Sequence, residues 1–283
     1  MRLQRTIKQV VVLKGKGIHN GEDVTLTIRS APVDTGINFI RTDLKEKPAV
    51  EANVSNLSDY SGNLRRTSIE KDSIPVHMIE HLMAALSSLN IDNAEIEINN
   101  SELPILDGSA LDYARELRKT DSLEQEKEKK ELILKDAAWC ADDGLLLIAL
   151  PHKSFRVSYL LEYGDAGMAA QYADFTFNNA EEKKKLFVEK IAPARTFCME
   201  REVKDILAKG LGKGASYKNT LVIKNGRPLQ NELRSKNELA RHKIMDLLGD
   251  ISLLDAEIKA HIIGIRSGHS LNIKLLKKLK SLL

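Results

Sequence analysis

The chain has 283 residues, 42% of them hydrophobic and 29% charged, with a formal net charge of +3. That length suits one large or two ordinary domains with ample core, and the composition is that of a soluble globular protein. So small a net charge gives no reason to expect a nucleic-acid partner, though it leaves room for a basic pocket that takes an anionic small molecule.

The N-terminus, MRLQRTIKQVVVL, is basic and then briefly apolar. It lacks a long apolar segment and a small-residue cleavage site, and its alternation predicts a strand rather than a leader. No run approaches the ~20 apolar residues of a membrane span. The two cysteines, Cys140 and Cys198, sit in no paired motif, which fits a reducing compartment and argues against a disulfide framework or a cysteine zinc site. We therefore expect a cytoplasmic protein without stable membrane insertion.

After Val10–Leu13 comes the glycine-rich KGKGIHNG, then Val24, Leu26 and Ile28 alternating with polar residues. These read as strands, and INFIRTD (37–43) as another after the turn Asp34-Thr35-Gly36. The polar stretch with NLSDYSGN reads as loop. Ser73 with Pro75 predicts a helix start, with Ile79, Leu82, Met83 and Leu86 as its apolar face. AEIEI (94–98) is a short strand, LPILDGSA a turn, and 111–117 a second helix. The charged stretch 120–131, TDSLEQEKEKKE, is read as the boundary between two domains, 1–122 and 123–283, or else as a solvated helix end.

The second half opens with ELILKDAAWC and LLLIALP around the hairpin signal Asp142-Asp143-Gly144. SFRVSYLLEY alternates as a strand, 181–190 and 199–209 read as helices, and NTLVI as a strand ending at Asn225-Gly226. A helix over 238–254, the strand HIIGIRSG and a basic amphipathic helix over 271–283 close the chain. Both halves run strands first and end helix, strand, helix. The expected class is α+β: two domains of similar topology, sheets packed on helices, with the active site between the domains.

The chemistry gathers on 241–250, RHKIMDLLGD. Ile244, Leu247, Leu248 and Ile251 recur at i, i+3, i+4 and i+7 and form one core-facing stripe. His242, Asp246 and Asp250 are successive i+4 neighbours on another side. A histidine and an aspartate one turn apart can offer a nitrogen and an oxygen to one small cation, with Lys243 adding a positive charge beside them. A polar stripe opposite an apolar one is equally the ordinary solvent face of an amphipathic helix, so this stretch alone leaves both readings open.

Far upstream, Glu80-His81 lie on the first predicted helix. His81 falls about 200° round from Ile79 and so faces away from its own core. His81, His242 and Asp246 with a water would give the open four-coordinate arrangement of catalytic zinc, and Glu80 could reach the water as general base. A hydrogen-bonded surface histidine is the plain alternative. A rival overlaps, because His77-Met78-Ile79-Glu80-His81 spells H-x-x-E-H, the inverted zinc-peptidase motif, with His77 and His81 as ligands.

Several blocks stand in one order over nearly the whole length: QRTIKQVVVLKGKGIHNGEDVTLTIRSAPVDTGI, IEHLMAALSSLNIDNAEIEI, ELPILDGSA, ARTF, RHKIMDLLGD and RSGHSLN. Together they resemble the UDP-3-O-acyl-N-acetylglucosamine deacetylase family. Those are zinc amidohydrolases of the committed step of lipid A biosynthesis, acting on the acetamide of a UDP-sugar that carries a fatty acyl chain. The resemblance implies one catalytic zinc on His81, His242 and Asp246, with excess zinc inhibitory. It makes Glu80 the base that activates water, and Thr196 and Lys243 the groups that stabilise the oxyanion. His269 becomes the general acid or electrostatic partner at the leaving amine, oriented by Asp250, whose carboxylate would raise its pKa. Read bare, His269 is a turn histidine. Arg266 is expected near the nucleotide diphosphate and Tyr163 near uracil. The stretch 197–222 resembles the family insert that encloses the acyl chain, and offers Phe197, Met199, Val203, Leu207, Ser216 and Tyr217. The implied partner is the small-molecule substrate alone, bound by a monomer.

The chain also departs from the family pattern. Met78 stands where a small hydroxyl residue is expected, and the loop NLRRT (63–67) brings Arg65 and Arg66 near the acyl or sugar contacts. The chain ends soon after its last helix, so no fused second enzyme is expected. A zinc amidase, a zinc peptidase using His77, and a non-catalytic module that kept the fold all stay open. The intact Glu80, ligand set and His269 weigh against the last.

Overall fold

The computed structural model describes residues 2–58, 65–164 and 167–283. The first half runs β1 (Leu3–Ile7), β2 (Val11–Lys16), β3 (Asp23–Ser30), β4 (Ile37–Arg41), β5 (Ala49–Glu51), β6 (Ser68–Lys71), β7 (Ile74–His77), α1 (Glu80–Ser88), β8 (Ala94–Ile98) and α2 (Leu111–Lys119). The second begins with β9 (Ser122–Glu128), β10 (Glu131–Ile133), β11 (Ala138–Asp142), β12 (Leu145–Pro151), β13 (Arg156–Leu161), β14 (Gln171–Thr176) and α3 (Ala180–Leu186). It continues with β15 (Phe197–Met199), α4 (Glu200–Ala208), β16 (Leu221–Lys224), β17 (Arg227–Pro228), α5 (Glu238–Ser252), β18 (Glu257–Ile265) and α6 (His269–Lys280).

Alternating sequence makes the strands, and the two large sheets are built the same way. The first has the order β2-β3-β8-β4-β5 and the second β11-β12-β18-β13-β14, with β10 also paired to β18. In each, the late strand is central, antiparallel to the second hairpin strand and parallel to the next. The hairpin between β11 and β12 turns on Asp143 and Gly144, both at positive φ (37° and 75°), the geometry a two-residue loop requires. The fold is α+β, as the sequence predicts.

α1 is buried along its length save for Ser87, and α5 is buried at all but three of its positions. Helices covered on nearly every side belong inside the molecule, and these two pack on each other while α5 also lies on β13 and β14. Gly249 makes the crossing possible: a β-carbon there would overlap the carbonyl oxygen of Glu80. Among the described residues, no helix is long and apolar enough to cross a membrane.

Some expectations need correction. The helix predicted from Ser73 begins only at Glu80; Ile74–His77 is instead β7, paired with β6. The stretch 120–131 is not a helix end, because Ser122–Glu128 forms β9, antiparallel to β1, with its charges turned mostly to water. The run 131–140 is broken into β10 and β11, β14 was not foreseen, and 187–191 is a π-helical turn. Asn63 and Leu64 of the NLRRT loop lie outside the described residues.

Candidate active site

α1 and α5 bring their polar residues together where they cross. Glu80 and His81 occupy the first turn of α1, while His242, Asp246 and Asp250 follow one another down α5, and all five are buried. One nitrogen from each of His81 and His242 and one oxygen of Asp246 lie within 4.8 Å of one another. His242 Nε2 is 3.3 Å from Asp246 Oδ1 and His81 Nε2 is 3.9 Å from it. The imidazoles stand edge to face, centroids 5.3 Å apart.

Burial holds His81 down to about 4 and His242 to about 3, so both are neutral near pH 7 with lone pairs available. His242 Nδ1 lies 3.2 Å from the Ala194 carbonyl oxygen, and an N–H donated there leaves Nε2 as the free donor atom. Burial would raise Asp246, but the positive charges facing it, the Lys243 ammonium and the His269 imidazolium among them, outweigh it and hold the carboxyl below the usual range. Its Oδ2 accepts from Lys243 Nζ at 2.9 Å, whereas Oδ1 is buried without a hydrogen-bond partner. A buried anionic oxygen left bare costs several kcal/mol (~1–3 or more). A cation shared with two neutral imidazoles removes that cost. Two nitrogens and one carboxylate oxygen at this spacing suit zinc, with its ligand distances of about 2.0–2.2 Å.

A second cluster adjoins the first. Glu80 Oε1 is 4.0 Å from His269 Nε2, and Oε2 accepts the Thr67 backbone N–H at 3.0 Å. Burial raises Glu80 to about 8. Burial pulls His269 down, but Asp250 above all, then Asp246 and Glu80, override it and lift the imidazole to about 9. Asp250 Oδ2 is 2.9 Å from His269 Nδ1 and accepts from Asn272 Nδ2 at 2.8 Å. Thr67 donates its hydroxyl to Asp250 Oδ1 and lies 3.0 Å from His269 Nδ1. His269 is the first residue of α6 and Asn272 sits one turn on, so the two face Asp250 together.

Thr196 is held by its neighbour. Arg195 forms a buried ion pair with Glu238, the first residue of α5 (Nε to Oε1, 2.8 Å), and Thr196 itself donates N–H to the Gly108 carbonyl. The ARTF loop is thereby fixed to the helix carrying His242. Phe197 packs edge to face against His242 and Tyr163, with Lys243 Nζ 5.6 Å from its ring centre.

A cavity of about 330 Å³ holds these groups; Thr196, Phe197, Tyr163, Lys243, His269 and Arg266 all line it. Arg266 reaches Glu162 at 3.6 Å. Met199, Val203, Leu207, Ser216 and Tyr217 do not line this cavity. Met199 is buried in the core, while Leu207 and Tyr217 are exposed. The face that α4 turns to the cavity carries Glu202 and Ile206 instead. His77 ends β7 with Nδ1 2.8 Å from Ser68 Oγ, outside the His-His-Asp cluster. Thr67 and Asn272 escaped the sequence reading. Asn272 carried a faint signal, three residues after His269 on one helix, whereas Thr67 carried none.

Comparison with known proteins bears on the chain as a whole. The family model LpxC, UDP-3-O-acyl N-acetylglycosamine deacetylase, matches residues 4–281. The chain is 35% identical over 279 residues to the UDP-3-O-acyl-N-acetylglucosamine deacetylase of Myxococcus xanthus, covering 98% of this chain and 86% of that protein. To the enzyme of the same name from Geotalea uraniireducens it is 36% identical over 282 residues, covering 99% and 89%. It is also 33% identical over 306 residues to the bifunctional enzyme LpxC/FabZ of Chlorobaculum tepidum, spanning 98% of this chain but 64% of that longer protein.

Proposed function

The chain belongs to the UDP-3-O-acyl N-acetylglycosamine deacetylase family, and from that premise we propose that it hydrolyses the acetamide of a UDP-3-O-acyl-N-acetylglucosamine, yielding the free amine and acetate in lipid A biosynthesis. The observation that carries the metal-dependent reading is the bare, buried Asp246 Oδ1 between two neutral imidazole nitrogens. We assign zinc to His81, His242 and Asp246; when bound it supplies Lewis acidity toward a carbonyl and toward water.

We assign the remaining roles as the family resemblance implies, and the placement of the side chains supports them. Glu80, one oxygen pinned by Thr67 N–H, takes the proton of the attacking water. Lys243 and Thr196, which line the same cavity, offer an ammonium and a hydroxyl to the oxyanion that develops on the carbonyl. His269, kept protonated by Asp250, gives its proton to the nitrogen as the C–N bond breaks. We assign Arg266 and Tyr163, which line the cavity, to the nucleotide, and Phe197 to the acyl-bearing part. The test is metal analysis of the purified protein together with deacetylation of the UDP-acyl-sugar before and after chelation, with casein as a peptidase control. Turnover undiminished after the metal is shown to be gone would overturn the metal-dependent reading.

A further inference from the structure

Beside the cavity of the His-His-Asp cluster lies a second of about 210 Å³, and His19, Arg65, Glu202 and Ile206 line both. The two spaces therefore meet at one partition. Across it, the Arg65 guanidinium and the Glu202 carboxylate form an ion pair. Arg65 stands just before β6 in a left-handed conformation, φ 58°. Glu202 lies in the first turn of α4, where its Oε2 also accepts the Met199 backbone N–H at 2.8 Å. One end of the pair thus belongs to a loop of the first half and the other to the insert. Ile18 and Met78 also line the inner cavity, whereas Asp205 and Lys209 line only the outer one.

We propose that the Arg65–Glu202 pair is a specificity element that closes the inner cavity where it meets the outer one, and so sets the length of acyl chain the enzyme accepts. This rests on the reading above that the substrate carries an acyl chain. A chain that stops short buries its methylenes against Ile18, Met78 and Ile206. A longer one must push between the two charges and strip them of water and of each other, which costs free energy that no new hydrogen bond returns. The side chains are 52% and 29% exposed, so the pair itself contributes little to stability, and its removal should spare the fold.

The experiment compares kcat/KM across UDP-3-O-acyl-N-acetylglucosamines whose saturated acyl chains lengthen stepwise. It uses the wild type, Arg65→Ala, Arg65→Lys and Glu202→Gln. Glutamine at position 202 keeps an acceptor for the Met199 N–H while losing the charge. We expect wild-type activity to fall sharply beyond one length. Arg65→Ala and Glu202→Gln should carry the optimum to longer chains, with relative gains of roughly fourfold per added methylene. Arg65→Lys, which keeps the cation, should retain the wild-type profile. Activity with an unchanged length profile in Arg65→Ala, or a loss uniform over all lengths, would overturn the proposal alone. A metal-loaded wild type inactive on every chain would overturn the deacetylase reading and this inference with it.

Discussion

At the scale of single residues, the unpartnered oxygen of Asp246 separates the two ligand assignments the sequence offered. If His81, His242 and Asp246 hold the metal, Asp246→Ala leaves two histidines and should lose most zinc. His77→Ala, which removes a side chain bonded to Ser68, should keep about one zinc. Zinc retained in the first and lost in the second would reverse the assignment. The pH profile tests the other cluster. In the proposed mechanism Glu80 works ionised, so the rate rises as pH passes its pKa, and His269 works protonated, so the rate falls as pH passes its own. Burial sets Glu80 at about 8 even against the lowering effect of the His269 imidazolium, and zinc beside it would favour the carboxylate further, so the acid limb should lie lower in the loaded enzyme. His269→Ala should remove the basic limb. Asp250→Asn, which deletes the charge most responsible for lifting His269 to about 9, should move that limb to lower pH. Glu80→Ala should cost on the order of 10²-fold or more in rate. An unaltered rate and profile in His269→Ala would disprove its role. The i+4 series on α5 could be read from sequence because helix geometry fixes it. Thr67 could not, because its contacts to Asp250 and Glu80 join positions 183 and 13 residues away through the tertiary fold alone.

At the scale of elements, the site depends on how closely α1 and α5 approach. Both helices and their apolar stripes were legible in the sequence, but the part Gly249 plays was not. In the fold it is the contact that admits the Glu80 backbone. Gly249→Ala would gain up to about 1 kcal/mol of helix propensity, but the clash with the Glu80 backbone would drive the helices apart and cost more than that gain, about 1–3 kcal/mol or above by overpacking. Urea unfolding should show a lower midpoint at unchanged slope, and zinc affinity should fall because His81 shifts relative to His242. A wild-type midpoint would show that the crossing tolerates a methyl group. The misread helix start has a local cause. Asp72 and Ser73 turn the β6–β7 hairpin at φ 51° and 61° without glycine, and Pro75 is tolerated because β7 pairs with β6 in a two-stranded sheet, its outward backbone bonds to Ser101 and Leu103 being made two residues on, at His77. That turn chemistry is invisible in composition. The charged β9 was hidden for a related reason: it has one paired neighbour, β1, and so little apolar surface to betray it.

At the scale of the whole molecule, the repeated strand order of the two large sheets accounts for why the closing pattern of helix, strand, helix was legible twice. We propose that the halves are two domains divided near residue 122, with β9 pairing back to β1 across the boundary. Under the ligand assignment above, the metal draws one ligand from α1 and two from α5, so its binding energy acts across the interface rather than within one half. Binding that favours only the folded state stabilises it by mass action, about 4 kcal/mol at a thousandfold excess over Kd. For a chain of this size that corresponds to a melting shift on the order of 10 °C. The metal-depleted protein should therefore melt well below the zinc-loaded one, and re-addition of zinc should restore the difference. Asp246→Ala should show no such response, since the anionic ligand is gone, whereas Glu80→Ala should respond fully because Glu80 holds no metal in this assignment. Equal melting temperatures for wild-type protein with and without verified zinc would mean that the ion does not join the two halves.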